Sequence, residues 1–282
     1  PRFALREVSV SVPDGAGSRS VVARLQDQYG VWHAILVLCN DQAGVKDGFM
    51  RPMSRQEWTE RLQRLETQGA AQAVVPTEFA QWQVAEARRL NDATGFPLGD
   101  SLKEWDALVG PPPPGYEPPD PIAPVLAASE EQRREWVEAG ARLFKQSNIG
   151  RWFLEAADCA PFARRWSDLQ VRLRHRGRTP ELQQEEEKLL QETVETLLTE
   201  EWRGLFRGRL AHAARIFEWS GQEALARQAA AVVADLDAGT APRDNPFFKE
   251  LARRSLQVTE TLILRGEDLE RLRYKPMKRY QS

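Results

Sequence analysis

The sequence predicts an α+β N-terminal domain, a small antiparallel sheet covered by helices, followed by an all-α helical bundle. The whole chain is predominantly helical on this reading. Three observations predict it. Residues 3–40 hold three β-branched or apolar runs separated by the turn-forming stretches PDGAGS and DQYG. From Ser54 onward the spacing of apolar residues lengthens from two to about 3.6. Between the two helical stretches lies GPPPPGYEPPDPIAP, residues 110–124, whose prolines lack the N–H that a helix or ladder needs. The boundaries follow as 1–110 for the α+β domain and 111–124 for a proline-rich linker or strap. Residues 125–264 form the all-α domain, and 265–282 a basic C-terminal tail.

Each element has a local cause. FALREVSVSV and RSVVARLQ are partly alternating strands joined at Asp14-Gly15, and VWHAILVLC, apolar on both faces, is a central strand of a three-stranded meander. Asn40 and Asp41 suit an Asx turn, and Gly44 suits a positive φ. Ser54 and Glu57 form a capping box ahead of a helix whose apolar face is Trp58, Leu62 and Leu65. A second helix over 76–90 carries Phe79, Trp82 and Ala85, and a third begins at the box Ser101 to Glu104. Beyond the prolines, a box at Ser129 to Gln132 opens a helix with Trp136, Ala139, Leu143 and Phe144 inward. Pro161 marks a break between a short helix and the next. Thr179-Pro180-Glu181 has the preferred order of cap, first-position proline and first-turn acid. Later helices carry Leu190 and Val194, then Phe206 to Phe217, Leu225 to Leu236, and Phe248 to Leu262. No fixed internal period recurs, which favours a compact bundle over a regular solenoid.

Composition removes several classes of function. A net charge of −2 gives no global attraction to nucleic acid or anionic membrane, so such binding needs a local patch. The two cysteines, Cys39 and Cys159, have neither disulfide-framework nor metal-ligand spacing, which points to a reducing, cytoplasmic setting. The segment PRFALREVSVSV lacks the layout of a signal peptide, and no apolar run approaches the roughly 20 residues of a membrane span. A soluble chain with no membrane partner is expected. P-loop, G-x-G-x-x-G and G-x-S-x-G motifs are all missing from the sequence. His33, His175 and His212 have no His or Cys at ligand spacing, so no metal or other cofactor is expected.

The stretch CNDQAGVKDGF, residues 39–49, invites closer reading. An apolar strand running into Gly44-Val45-Lys46-Asp47 and Phe49, then a helix from Ser54 to Glu57, resembles a group of uncharacterised bacterial proteins. EFAQWQVAEARRLNDATGF, residues 78–96, is similar to the next helix of that group. The likeness covers the first 110 residues and implies an intact N-terminal domain without implying an activity. That group carries an acid within the strand, where this chain has Leu38-Cys39-Asn40.

Three functional classes remain. Asp41 and Asp47, with Lys46, are the candidates for a metal-dependent hydrolase or nuclease, since paired carboxylates at a strand end can hold a divalent ion. Arg164, Arg165, Arg172, Arg174, Arg176 and Arg178, with Lys275, Lys278 and Arg279 of the tail, are the candidates for nucleic-acid contact. Trp136, Trp152, Trp166, Trp202 and Trp219 are either the core of the bundle or a groove for a partner helix or peptide. A non-catalytic scaffold binding another protein through its helical domain leads by elimination. Nucleic acid is the runner-up partner and the metal-dependent enzyme the outside alternative.

Overall fold

A computed structural model describes residues 2–67, 71–98 and 102–273. Leu62 and Leu65 (their side chains), Ser101, Lys275, Lys278 and Arg279 lie outside what it describes. The N-terminal part is an antiparallel sheet of five strands in the order β4-β3-β2-β1-β5. They are β1 (Phe3–Ser11), β2 (Ser18–Asp27), β3 (Trp32–Asn40), β4 (Gly44–Pro52) and β5 (Gln72–Val74). The expected meander is its centre, with β2 paired to both neighbours. β4 and β5 are additions to that expectation. Residues 44–52 were expected as a turn leading to a helix, because Gly44, Gly48, Lys46 and Asp47 are poor strand formers. Pairing with β3 overrides that preference: Leu36 faces Phe49 and Leu38 faces Asp47. The register shifts between Leu38 and Cys39, leaving Lys46 as the extra residue of a β-bulge.

Alternation gives the sheet two different faces. Val8, Val10, Val21, Ala23, Ile35, Val37 and Cys39 point to one side and join the main core. Val22, Ala34 and Leu36 point to the other, where Met53 and, from α1 (Arg55–Thr67), Trp58 pack on them. The Ser54–Glu57 box caps α1 in both directions, at 3.1 and 2.7 Å. The core side of the sheet is covered by α2 (Thr77–Thr94), whose buried stripe is Phe79, Ala80, Gln83, Val84, Ala87 and Asn91.

The C-terminal part is helical: α3 (Lys103–Leu108), α4 (Ala123–Leu126), α5 (Glu130–Ala139), α6 (Ala156–Arg176) and α7 (Pro180–Leu197), then α8 (Glu200–Trp219), α9 (Glu223–Asp237), α10 (Pro246–Leu264) and α11 (Leu269–Leu272). Side-chain caps start several of these: Ser129 with Gln132 at α5 and Thr179 at α7, as expected, and also Thr199 at α8 and Asn245 at α10. Pro161 differs from expectation. It sits inside α6 without ending it. Its missing N–H costs one bond near the helix start, while Cys159, Ala163, Trp166, Leu169 and Leu173 form one buried stripe on both sides of it. At the centre, Phe247 and Phe248 of α10 meet Phe144, Trp152 and Phe206.

One buried apolar cluster runs from Val8 in β1 to Leu256 in α10, so the sheet and the helices share a core. The seam is stitched at the β1–β2 turn. Asn148 Nδ2 donates to Val12 O at 2.7 Å, and Trp152 Nε1 donates to Pro13 O at 3.0 Å. The proline-rich segment 111–120 stays largely exposed, with Tyr116 partly buried. Arg215 of α8 fixes it by donating Nε to Pro119 O at 2.8 Å. No described helix is long and apolar enough to cross a membrane.

Candidate functional site

A cleft of about 1420 Å³ opens where the two halves meet. One wall is the β1–β2 turn, the β3–β4 turn and the Trp82–Thr94 stretch of α2; the other is α8 with the start of α6 and α11. Its making begins in the β3–β4 turn. Asn40 is fully buried, and its Oδ1 accepts from Gln42 N and Ala43 N at 2.9 Å, the expected Asx turn. Its Nδ2 donates to Ala16 O at 2.8 Å, tying this turn to the β1–β2 turn. From the other side Asn91 of α2 accepts from Val45 N at 2.7 Å and donates to Val45 O at 3.0 Å. Both buried amides are thus satisfied, as burial demands.

Asp41 was expected as an Asx-turn residue or a metal ligand. It is neither. Its carboxylate takes Arg209 of α8, Nε to Oδ2 at 2.5 Å and Nη2 to Oδ1 at 3.2 Å. The arginine side chain is only 3% exposed and the aspartate 16%. This bidentate pair bridges sheet and helices in the wall of the cleft. Gly17, at φ 77°, leaves the room: a Cβ there would stand 1.9 Å from Asp41 Oδ1.

Asp47 is exposed on β4, opposite Leu38 and on the α1 side of the sheet, where its carboxylate accepts from Gly48 N. Lys46 occupies the bulge. The three candidates therefore do not converge. No group of three or more His, Cys, Asp or Glu suited to a metal exists among the described residues. Both cysteines are buried; burial pushes the Cys39 thiol up to about 11 and that of Cys159 to about 12, so neither is a ready nucleophile.

His212 lies 6% exposed on the cleft wall. Its Nε2 meets Ser11 O at 3.0 Å, and since a carbonyl only accepts, Nε2 carries the proton. Burial first, then the Arg19 cation, drives its pKa from 6.5 to about 3, with Arg215 adding to the effect and the Ser11 bond opposing it. The unfolded chain binds this proton near 6.5 and the folded one does not. Stability from this group is therefore complete above that pH and falls as the pH drops toward 3. Between pH 7.5 and 5 the loss amounts to about 2 kcal/mol. Urea unfolding across that range is expected to show a shallower slope for His212→Gln; equal slopes would rule this origin out.

The arginine cluster divides in two. Arg165 pairs with Glu192 at 2.8 and 2.9 Å, and Arg172 is gripped by Glu185, both on α7. Those bonds also hold the two glutamates below the usual carboxylate range. Arg164, Arg174, Arg176 and Arg178 are exposed. Of the tryptophans, Trp152 and Trp166 are core. Trp136, Trp202 and Trp219 are partly buried, and Trp202 lines the cleft beside Trp82 of α2.

The cleft residues Arg19, Gln83, Arg209 and Arg215 were not singled out from the sequence, since each lies in an ordinary amphipathic element. The one available signal was in GLFRGRL, where Gly204 and Gly208 weaken a helix that has no turn to make. Comparison with protein-family models, curated proteins and solved structures yields no match to this chain.

Proposed function

We propose that the protein is a non-catalytic binding protein whose cleft between α2 and α8 holds an extended segment of another protein. The observation that carries this reading is the smooth wall of α8. Gly204 and Gly208 lie one helical turn apart on the cleft side, and a Cβ at either would meet nothing within 4 Å. Each glycine costs helix stability of about 1 kcal/mol relative to alanine, which a structural role alone does not explain. The space kept open lets a polypeptide backbone approach the helix, with Trp82 and Trp202 as flat apolar contacts beside it.

Size and charge select the partner. A volume of about 1420 Å³ exceeds the roughly 300–1,000 Å³ of pockets for small molecules. Six arginines and six carboxylates line it, which disfavours a uniformly charged nucleic-acid strand and suits a polypeptide of mixed charge. The site thus draws on both halves of the chain rather than on the helical domain alone. The exposed Arg164, Arg174, Arg176 and Arg178 favour a second reading, nucleic-acid contact at the end of α6; it predicts affinity that falls steeply with salt in an oligonucleotide titration.

The test is selection of peptides from a displayed random library on the full chain, followed by titration against variants. Gly208→Ala is expected to raise stability by about 1 kcal/mol, since the space is open and the helix gains. Gly208→Leu is expected to fold equally well and to lose the selected peptides. Failure to enrich any peptide, or undiminished binding to Gly208→Leu, would overturn the cleft as the binding site.

A further inference from the structure

Three of the six arginines on the cleft wall are committed to carboxylates. Arg209 is held by Asp41, Arg207 by Asp237 and Arg273 by Asp158. Arg19 and Arg215, which line the same cleft as His212 and both act on it electrostatically, are different. Arg19 stands on the core side of β2, in step with Val21, and its Nε donates at 2.6 Å to Oε1 of the buried, neutral Gln83. Its two terminal nitrogens have no hydrogen bond among the described residues. Arg215 spends Nε on Pro119 O, and Asp120 on the proline strap attracts it from beyond ion-pair distance. Neither guanidinium has a carboxylate partner among the described residues.

Half-buried cations without a counterion cost free energy, and a guanidinium whose Nε is already fixed presents its remaining N–H groups in a set direction. Such an arrangement is the preorganised half of a charge-assisted contact with a planar or tetrahedral oxyanion. Burial also pulls Arg215 below the usual arginine range, and both cations depress His212. An incoming negative charge relieves each of these strains at once. The neighbouring carboxylates, Glu86 and Asp41, are turned to Arg89 and Arg209 and do not supply that charge.

We propose that Arg19 and Arg215 form an oxyanion-binding subsite of the cleft, which takes a carboxylate or phosphoryl group of the bound polypeptide. The inference rests on the peptide-groove reading for the identity of the carrier, but not for the presence of the anion. His212, neutral and fixed by Ser11, lines the same cleft without adding charge.

The experiment uses the full chain. Melting temperature is followed against inorganic phosphate and against acetate, with sodium chloride at matched ionic strength as the reference, for wild type, Arg19→Gln, Arg215→Gln and Gly208→Leu. A saturable rise is expected in the wild type and in Gly208→Leu, with apparent affinity about tenfold weaker or more in each arginine variant. Arg215→Gln serves as the second variant because Arg19 also anchors Gln83. Peptides carrying glutamate, phosphoserine or a free C-terminus then separate the sources of the oxyanion. No anion-specific rise in the wild type, or an unchanged rise in both arginine variants, would overturn the subsite. Anion binding without any peptide binding would retain the subsite and remove the groove reading. Neutral peptides that bind as tightly as acidic ones would remove the subsite and retain the groove.

Discussion

Asp41→Ala is expected to lower the free energy of unfolding by about 3–5 kcal/mol, the cost of leaving a buried cation unpaired. The cause is not the loss of one attraction. Arg209 is 3% exposed, and without Asp41 it keeps a marginal contact to Gly15 O at 3.5 Å and the Phe206 ring at 5.6 Å, but no counterion. Removing both charges is a different experiment. Asp41→Leu with Arg209→Met leaves an apolar contact and should recover most of the loss, because replacing a buried pair by apolar groups is often nearly neutral. Asp47→Ala is the internal control: that residue is exposed and away from the cleft, so a change within about 0.5 kcal/mol is expected. Urea unfolding of the four proteins decides the matter. If Asp41→Ala stays within about 1 kcal/mol of wild type, the pair behaves as a surface ion pair and does not hold the halves together.

The fold was legible where local causes coincide with the tertiary outcome. The three central strands, the helix-opening boxes at Ser54 and Ser129 and the caps at Thr179 and Asn245 are all written in nearest neighbours. β4 was not legible, because its residues become a strand only through partnership with β3, itself apolar enough to accept a neighbour on each side. β5 is three residues long and pairs with β1 across a helix, a contact without a local signal. Pro161 misled for the converse reason. A local breaker was overruled by a buried stripe that continues past it.

The candidate site was harder to read, since it is made of pairings distant in sequence. Asp41 finds Arg209 across 168 positions, and His212 finds Ser11 across 201. A single sequence offers no reason to match them. What it did expose was an anomaly at each end of the joint: polar residues crowding a strand end at Asn40-Asp41, and glycines inside a helix at Gly204 and Gly208. Both anomalies lie on the cleft. The stretch CNDQAGVKDGF is therefore a joint between turns, strand and helices, in which Asp41 ties the β3–β4 turn to α8 while Asp47 stays exposed on β4.

Gly44→Ala should be nearly as damaging as the loss of Asp41, and a second glycine separates its two causes. Gly44 opens β4 at φ 84°, a region where an L side chain costs about 1–2 kcal/mol. Its Cβ would also stand 2.5 Å from Ala87 O and 2.3 Å from Asn91 Oδ1. The first neighbour is helix backbone and the second is fixed by Val45 N, so neither can retreat without shifting α2 from the sheet. Such overpacking adds about 1–3 kcal/mol. Gly115 in the proline strap also has positive φ, at 72°, but a Cβ there meets nothing within 4 Å. Gly115→Ala thus measures the backbone cost alone. The expected order in urea unfolding is wild type, then Gly115→Ala lower by about 1–2 kcal/mol, then Gly44→Ala lower by about 2–5 kcal/mol. Equal losses in the two variants would mean that α2 yields freely at Asn91. The docking of α2 on the β3–β4 turn, which sets one wall of the cleft, would then not be the rigid contact that the bonds of Asn91 describe.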